Sequence, residues 1–116
     1  MPVYQDKRSI GINALPESCR DQLKHLGENI KLARKRRRIR QQDMAERIAV
    51  AIKTYRKIER GDPTVGIGLY LSALFLLGIH EDFSLLAAPD RDSTGLSLEN
   101  KYLPERVRLK QEDILK

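Results

Sequence analysis

The sequence predicts an all-α fold, a bundle of five short helices with a short β-strand near the C-terminus. Apolar residues recur at intervals of three and four along much of the chain, which is the spacing of one helical face. Gly and Pro residues divide this pattern into short segments. The 116 residues include four Tyr, two Phe and no Trp, so the core must be aliphatic, which suits a small helical bundle better than a β-sandwich.

The first helix follows an N-terminal arm that lacks periodicity. It can begin at Pro16-Glu17, because Pro is tolerated in the first turn and an early acid favours the helix dipole. Gly27 interrupts the pattern, so residues 16–26 and 28–38 can be separate segments. The apolar stripe that would face the core comprises Leu23, Leu26, Ile30 and Ala33.

The second and third helices are predicted over residues 41–48 and 51–60. The third ends at Gly61-Asp62-Pro63, because Gly adopts the left-handed conformation after a helix end and Pro cannot continue the helix. The positions that would face inward from these two helices are Met44, Ala45, Ile48, Tyr55 and Ile58.

The fourth helix, predicted over residues 67–77, is apolar on nearly every side, whereas a surface helix has one apolar stripe. So small a chain cannot enclose it completely. We therefore expect a symmetric dimer, with Leu71, Leu74 and Phe75 in its interface. The alternative is that this is merely the central core helix. A fifth helix over residues 80–88 would end at Pro89.

The C-terminal part of the chain is polar and turn-like over residues 90–101. Residues 106–110 then alternate basic and apolar side chains, as a strand with one dry face does. A single strand leaves its backbone unpaired, so we expect this strand to pair with the same strand of the second subunit. Val107 and Leu109 would then lie in the dimer interface. The alternative is a frayed tail. The resulting domain division is an N-terminal arm (1–20), a helical domain (21–88) and a C-terminal arm (89–116).

Positive charge is concentrated just before the second helix. The net charge is +6, and residues 31–40 contain seven Lys and Arg and no acid. Such a cluster is typical of proteins that bind phosphate groups. The alternative is a solvated helix end whose cations favour the helix dipole.

Other functional classes are excluded by what the sequence lacks. The single cysteine, Cys19, cannot form an internal disulfide, and no apolar run of signal-peptide length occurs near the N-terminus. The longest apolar stretch, Ile67 to Ile79, is too short to span a bilayer. We therefore expect a cytoplasmic, nucleoid-associated protein without membrane contact. His25 and His80 are too far apart to suggest a metal site, and no cofactor motif occurs.

Two acidic features could suggest an enzyme, but neither supports one. The string at residues 90–94, DRDST, matches the DxDxT of haloacid-dehalogenase-type phosphatases, but the chain is too short for their α/β domain. We expect its Asp and Ser side chains to bond the local backbone. Glu59 is expected to be a structural ion-pair partner and not a catalytic acid.

The short connection between the second and third helices predicts a helix-turn-helix. The strings QQDMAERI (41–48) and YRKIERG (55–61) resemble the Xre/Cro–CI family of bacterial and phage regulators, over residues 27–88. The resemblance implies a five-helix, lambda repressor-like domain that binds double-stranded DNA as a dimer. It also implies an inverted-repeat operator whose half-sites lie about 34 Å apart.

In that family the third helix enters the major groove. The resemblance therefore implies that Ile52, Lys53 and Lys57 read bases, and that Thr54 and Arg56 contact bases or phosphates. Gln41 would meet a phosphate through its side chain and the helix N-terminus, beside Gln42. Sequence-independent attraction would come from Arg36, Arg37, Arg38 and Arg40.

The chain departs from the family at three positions. Arg40 and Ala51 stand where Ser or Thr usually caps the second and third helices, and Ala49 replaces the usual turn Gly. Ala at an N-cap costs about 1 kcal/mol, and Ala49 would be strained if its φ is positive. Packing, more than capping, is therefore expected to position the third helix.

A second resemblance rests on the shorter motifs LGENI (26–30), RGDPTV (60–65), LA (86–87) and LPERVR (103–108), which are similar to those of HipB-type antitoxins. It implies a HipA-like Ser/Thr kinase toxin as partner and repression of the shared operon. A stand-alone repressor and a protein-interaction module with weak DNA binding remain alternatives.

Overall fold

The computed structural model describes residues 11–101, and these contain helices and turns but no strand. The all-α prediction is confirmed. The predicted strand at 106–110, with Val107 and Leu109, lies outside the described residues. The α-helices are α1 (Glu17–Arg36), α2 (Gln41–Arg47), α3 (Ile52–Glu59), α4 (Ile67–Leu76) and α5 (Ser93–Lys101), and 3₁₀ helices span Glu81–Leu85 and Pro89–Arg91.

The helix α1 is continuous, so the predicted break at Gly27 is wrong. Gly27 is buried, and a Cβ built on it would lie 2.6 Å from the Glu59 carbonyl oxygen and from the Gly61 nitrogen. The glycine therefore permits the end of α3 to approach α1, and does not divide the helix. Gly61 mirrors this contact, since its own Cβ would collide with the Leu23 backbone.

The helices α2 and α3 are joined by a short connection, as predicted, but it comprises the four residues 48–51 and not the two that the predicted helix bounds leave. Ile48 is the C-cap residue of α2, Ala49 has a φ of 60°, and the Val50 amide donates to the Ala45 carbonyl at 2.9 Å. A left-handed residue followed by a backbone hydrogen bond between residues five apart is a common helix C-cap, and here it is built without glycine. It turns the chain so that α3 packs against α2 and α1.

The core of the first compact unit, which ends at His80, contains most of the predicted inward positions. Two tyrosines, Tyr55 and Tyr70, are buried beside the aliphatic side chains. The prediction of an aliphatic core is therefore only partly correct. The Tyr70 hydroxyl donates to the Asp62 carbonyl at 2.7 Å, which allows its burial. The buried apolar residues are Ile30, Ala33, Met44, Ala45, Tyr55, Ile58, Tyr70, Ala73 and Leu77.

The helix α4 has an apolar buried side and an apolar exposed side. Tyr70 and Ala73 face the core, whereas Ile67 is 67% exposed and Phe75 is 66% exposed. The first unit thus leaves the second apolar face of α4 open among the described residues, in agreement with the all-round apolar pattern.

The second compact unit begins at Glu81, and none of its helices contains a buried residue. The predicted helix at 80–88 is a 3₁₀ helix over Glu81–Leu85. The prediction of turns throughout 90–101 is also wrong, because α5 starts at Ser93. Asp92 accounts for this start: its Oδ1 accepts from the Gly95 amide at 2.8 Å, as an N-cap side chain does.

Residues 11–101 contain no helix with the length and apolar character that crossing a bilayer requires.

Candidate nucleic-acid interface

The candidate interface is formed by α3 and by the arginine-rich segment between α1 and α2. Tyr55, Ile58 and Glu59 fix the buried side of α3 to the core. The opposite side presents Lys53 and Arg56 as exposed side chains, with Thr54 and Lys57 partly exposed between them. The cations of α3 therefore face solvent, while its buried side chains pack into the core.

A buried hydrogen-bond network centred on Glu59 positions α3. Arg34 from α1 donates to the Glu59 carboxylate through Nε at 2.6 Å and through Nη2 at 3.1 Å. The Tyr55 hydroxyl donates at 2.5 Å and Gln41 Nε2 donates at 2.9 Å. One carboxylate therefore joins three helices, and the expectation that Glu59 is a structural ion-pair partner is confirmed.

The charge on Glu59 is maintained by these donors. Burial alone would raise the pKa of Glu59, but the hydrogen bonds from Arg34, Tyr55 and Gln41 outweigh it and hold the pKa below its ordinary value. The hydrogen bond to Glu59 likewise raises the pKa of Arg34. Burial, followed by the hydrogen bond to Glu59, raises the pKa of Tyr55.

Arg34 is the residue that sequence reasoning missed. It belongs to the run of seven basic residues, which looks like one uniform cationic surface, yet it is only 8% exposed. The available signal was its position: it lies four residues after Ile30, on the apolar stripe of α1. Its Nη1 also donates to the Ile39 carbonyl at 2.9 Å, which fixes the turn after α1.

The remaining arginines of the segment differ in their availability. Arg36, Arg37, Arg38 and Arg40 are all exposed, but Arg37 also donates through Nη1 to the Ala33 carbonyl at 2.8 Å. Arg40 pairs with Asp43 in the first turn of α2 through two contacts of 3.1 Å. The hydrogen bond from Arg40 lowers the pKa of Asp43.

Neither α2 nor α3 has a side-chain cap at its N-terminus. Arg40 and Ala51 occupy the N-cap positions of α2 and α3 in extended backbone conformations, and neither side chain accepts a hydrogen bond from a backbone amide of the first turn. The positive φ of Ala49 adds backbone strain that glycine would relieve. Packing and the Glu59 network are what hold α3 in place.

The predicted contact residues do not all face solvent equally. Ile52 packs partly against the core, and the Gln42 amide donates to Glu46 Oε1 at 3.2 Å. Gln41 is partly buried, because its Nε2 donates to Glu59, and its Oε1 accepts from Arg56 Nε at 3.3 Å.

An open apolar groove of about 630 Å³ lies beside the α2–α3 turn, on the exposed side of α4. Leu71 and Phe75 line it, whereas Leu74 packs against the core. The His80 ring also lines the groove and meets the Phe75 ring edge-on at 4.9 Å between centroids. Of the predicted interface residues, Leu71 and Phe75 are therefore on one accessible surface.

The comparisons with known proteins identify no relative. No family model matches the chain, and neither the curated proteins nor the solved structures include a significant match. Within residues 11–101, no group of three or more His, Cys, Asp or Glu side chains could hold a metal ion. The chemistry that the described site offers is that of exposed cations on a fixed helix.

Proposed function

We propose that this protein is a dimeric, sequence-specific DNA-binding repressor of the Xre/Cro–CI type. The observation that carries the proposal is the exposed basic side of α3, which is anchored through Glu59 to α1 and α2. A short helix with a rigid base and exposed cations has the dimensions and charge that a major groove accepts.

In this proposal α3 supplies sequence recognition. Lys53 and Lys57 donate to guanine O6 and N7, and the exposed part of Ile52 packs on a thymine methyl. Thr54 and Arg56 contact bases or phosphates. The exposed arginines before α2 (Arg36, Arg38 and Arg40) and the neighbouring Gln42 add contacts to the phosphate backbone.

Binding to the DNA upstream of its own gene, measured at several salt concentrations, tests the proposal. We expect Lys53→Ala combined with Lys57→Ala to reduce both affinity and preference for that sequence. The control removes two exposed cations elsewhere, as Lys24→Ala with Arg91→Ala, and should retain sequence preference. Equal effects of the two pairs, or weak binding to all sequences, would support an interaction module instead.

Dimerisation is part of the proposal, because an inverted repeat requires two copies of α3. The exposed face of α4 supports a two-fold contact, in which Phe75 of one copy enters the apolar groove of the other. Such an arrangement uses the same surface on both subunits. A dimer also accounts for the second apolar side of α4, with Leu71 inside the contact.

The second part of the proposal concerns the biological role. The short motifs that resemble HipB-type antitoxins support a protein that restrains a HipA-like Ser/Thr kinase and represses the operon encoding both, in the cytoplasm at the nucleoid. Co-expression with the product of the adjacent gene tests this role. A stable complex with a kinase supports it, whereas a chain that represses without such a partner is a stand-alone repressor.

A further inference from the structure

The side chain of Gln41 lies between a buried carboxylate and an exposed guanidinium. Its Nε2 donates to Glu59 Oε1 at 2.9 Å, and its Oε1 accepts from Arg56 Nε at 3.3 Å. Gln41 thus links the interior network to the exposed side of α3. Its neighbour Gln42 makes a different contact, to Glu46 on the surface of α2.

The buried carboxylate determines which way the Gln41 amide is oriented. An ionised carboxylate only accepts hydrogen bonds, so the amide must direct its NH₂ group toward Glu59. Its carbonyl oxygen then points to the other side, where it accepts from Arg56. A flipped amide would place two acceptors together and lose both hydrogen bonds, so Glu59 enforces the orientation that Arg56 requires.

This contact leaves the outer edge of Arg56 available. Arg56 is exposed and forms no ion pair with an acid among residues 11–101. With Nε engaged by Gln41, the Nη1 and Nη2 groups remain as a pair of parallel donors. Such a pair matches two oxygens of a phosphate, and a guanidinium held in advance loses less freedom when it binds.

We infer that Gln41 is a positioning residue, whose amide, oriented by Glu59, holds Arg56 with its Nη edge ready for a DNA phosphate. The inference rests on the proposed DNA-binding function and assigns Gln41 a different role from the direct phosphate contact that the family resemblance implies. In that rival role, the second N–H of Gln41 would donate to the phosphate itself.

A double-mutant cycle on operator affinity separates the two roles. Gln41→Ala should weaken binding about three- to tenfold, as expected when one flexible side chain is no longer ordered. In an Arg56→Ala background the same change should have no further effect. The slope of the logarithm of the binding constant against the logarithm of the salt concentration should become less steep by about 0.9 with Arg56→Ala, because one phosphate contact is lost. Additive effects of Gln41→Ala and Arg56→Ala would overturn the inference.

Gln42→Ala is the matched control, because Gln42 is the adjacent glutamine and does not contact Arg56. Its effect on affinity should be the same in the presence and absence of Arg56. Coupling of Gln42 to Arg56 as strong as that of Gln41 would show that the cycle reports a general disturbance of α2, and would overturn the assignment.

A measurement on the free protein makes the inference independent of DNA. The Nε proton of Arg56, observed by NMR, should exchange with solvent more slowly in the wild type than in Gln41→Met, a substitution that keeps the side-chain length. An unchanged signal overturns the inference even if DNA binding is intact. If the chain binds no DNA, the proposed function and the phosphate role fail together, whereas this signal still decides whether Gln41 orders Arg56.

Discussion

At the level of single residues, the carboxylate of Glu59 couples folding to pH. Its pKa in the folded chain lies below the ordinary value of 4.5, because the donors that surround it outweigh the effect of burial. A lowered pKa gives stability that is complete above the unfolded value and is lost as the pH falls through the folded value. The contribution of Glu59 to stability is therefore lost in acid.

We expect the free energy of unfolding to fall more steeply between pH 5 and pH 3, about the ordinary carboxyl range, in the wild type than in Glu59→Gln. Urea unfolding at a series of pH values measures this difference. Asp43 and Asp62 also have lowered pKa values and are present in both proteins, so the comparison isolates Glu59. Parallel pH profiles would contradict the assignment.

Gly27 is the residue at which α1 and the end of α3 come closest. A methyl group there would lie 2.6 Å from two backbone atoms, which cannot move aside as a side-chain end can. We expect Gly27→Ala to destabilise the domain by about 1–3 kcal/mol, as overpacking does. Thermal and urea unfolding measure it. Gly68→Ala on α4 is the control, because its added Cβ would meet nothing within 4 Å beyond its chain neighbours and the backbone of its own helix, and it should not destabilise the domain.

At the level of helices, the uncapped start of α3 offers a direct test of what holds it. Ala51 already has the extended backbone of an N-cap residue but no side-chain acceptor. We expect Ala51→Thr to stabilise the domain by about 0.5–2 kcal/mol through a hydrogen bond to an amide of the first turn. Ala51→Val has nearly the same shape without the oxygen. Equal unfolding midpoints for the two variants would show that the cap is not limiting.

The helices α3 and α4 could be predicted from the sequence because Gly or Pro ends each apolar pattern. The helix α2 could be predicted from its apolar spacing alone, since Ala49 stands where a Gly would mark its end. Two other predictions failed for reasons that spacing does not contain. Gly27 permits a contact between residues far apart in sequence, which local patterns do not reveal. The helix α5 is polar, and its main signal is the capping Asp92, which resembles a turn residue equally well.

At the level of the whole molecule, the candidate site was only partly predictable. The exposed cations of α3 follow from helical periodicity once its buried residues are known. The partition of the arginine run does not, because Arg34 differs from Arg36 only through its position on the buried stripe. The link from Gln41 to Arg56 depends on how α2 and α3 pack, and this is a property of tertiary structure.

The exposed face of α4 leads to a prediction about assembly. Phe75 is 66% exposed beside an apolar groove, and in a two-fold dimer the two copies would bury each other's Phe75. Phe75→Glu should therefore yield a monomer, because it replaces the apolar side chain that the contact would bury with a carboxylate whose desolvation is costly. Sedimentation equilibrium measures the association, and circular dichroism verifies that the helices remain. Leu32→Glu, at another exposed apolar residue, should leave the dimer intact. A Phe75→Glu protein that still dimerises would place the contact elsewhere, whereas a folded monomer that also loses operator binding would tie DNA recognition to this face.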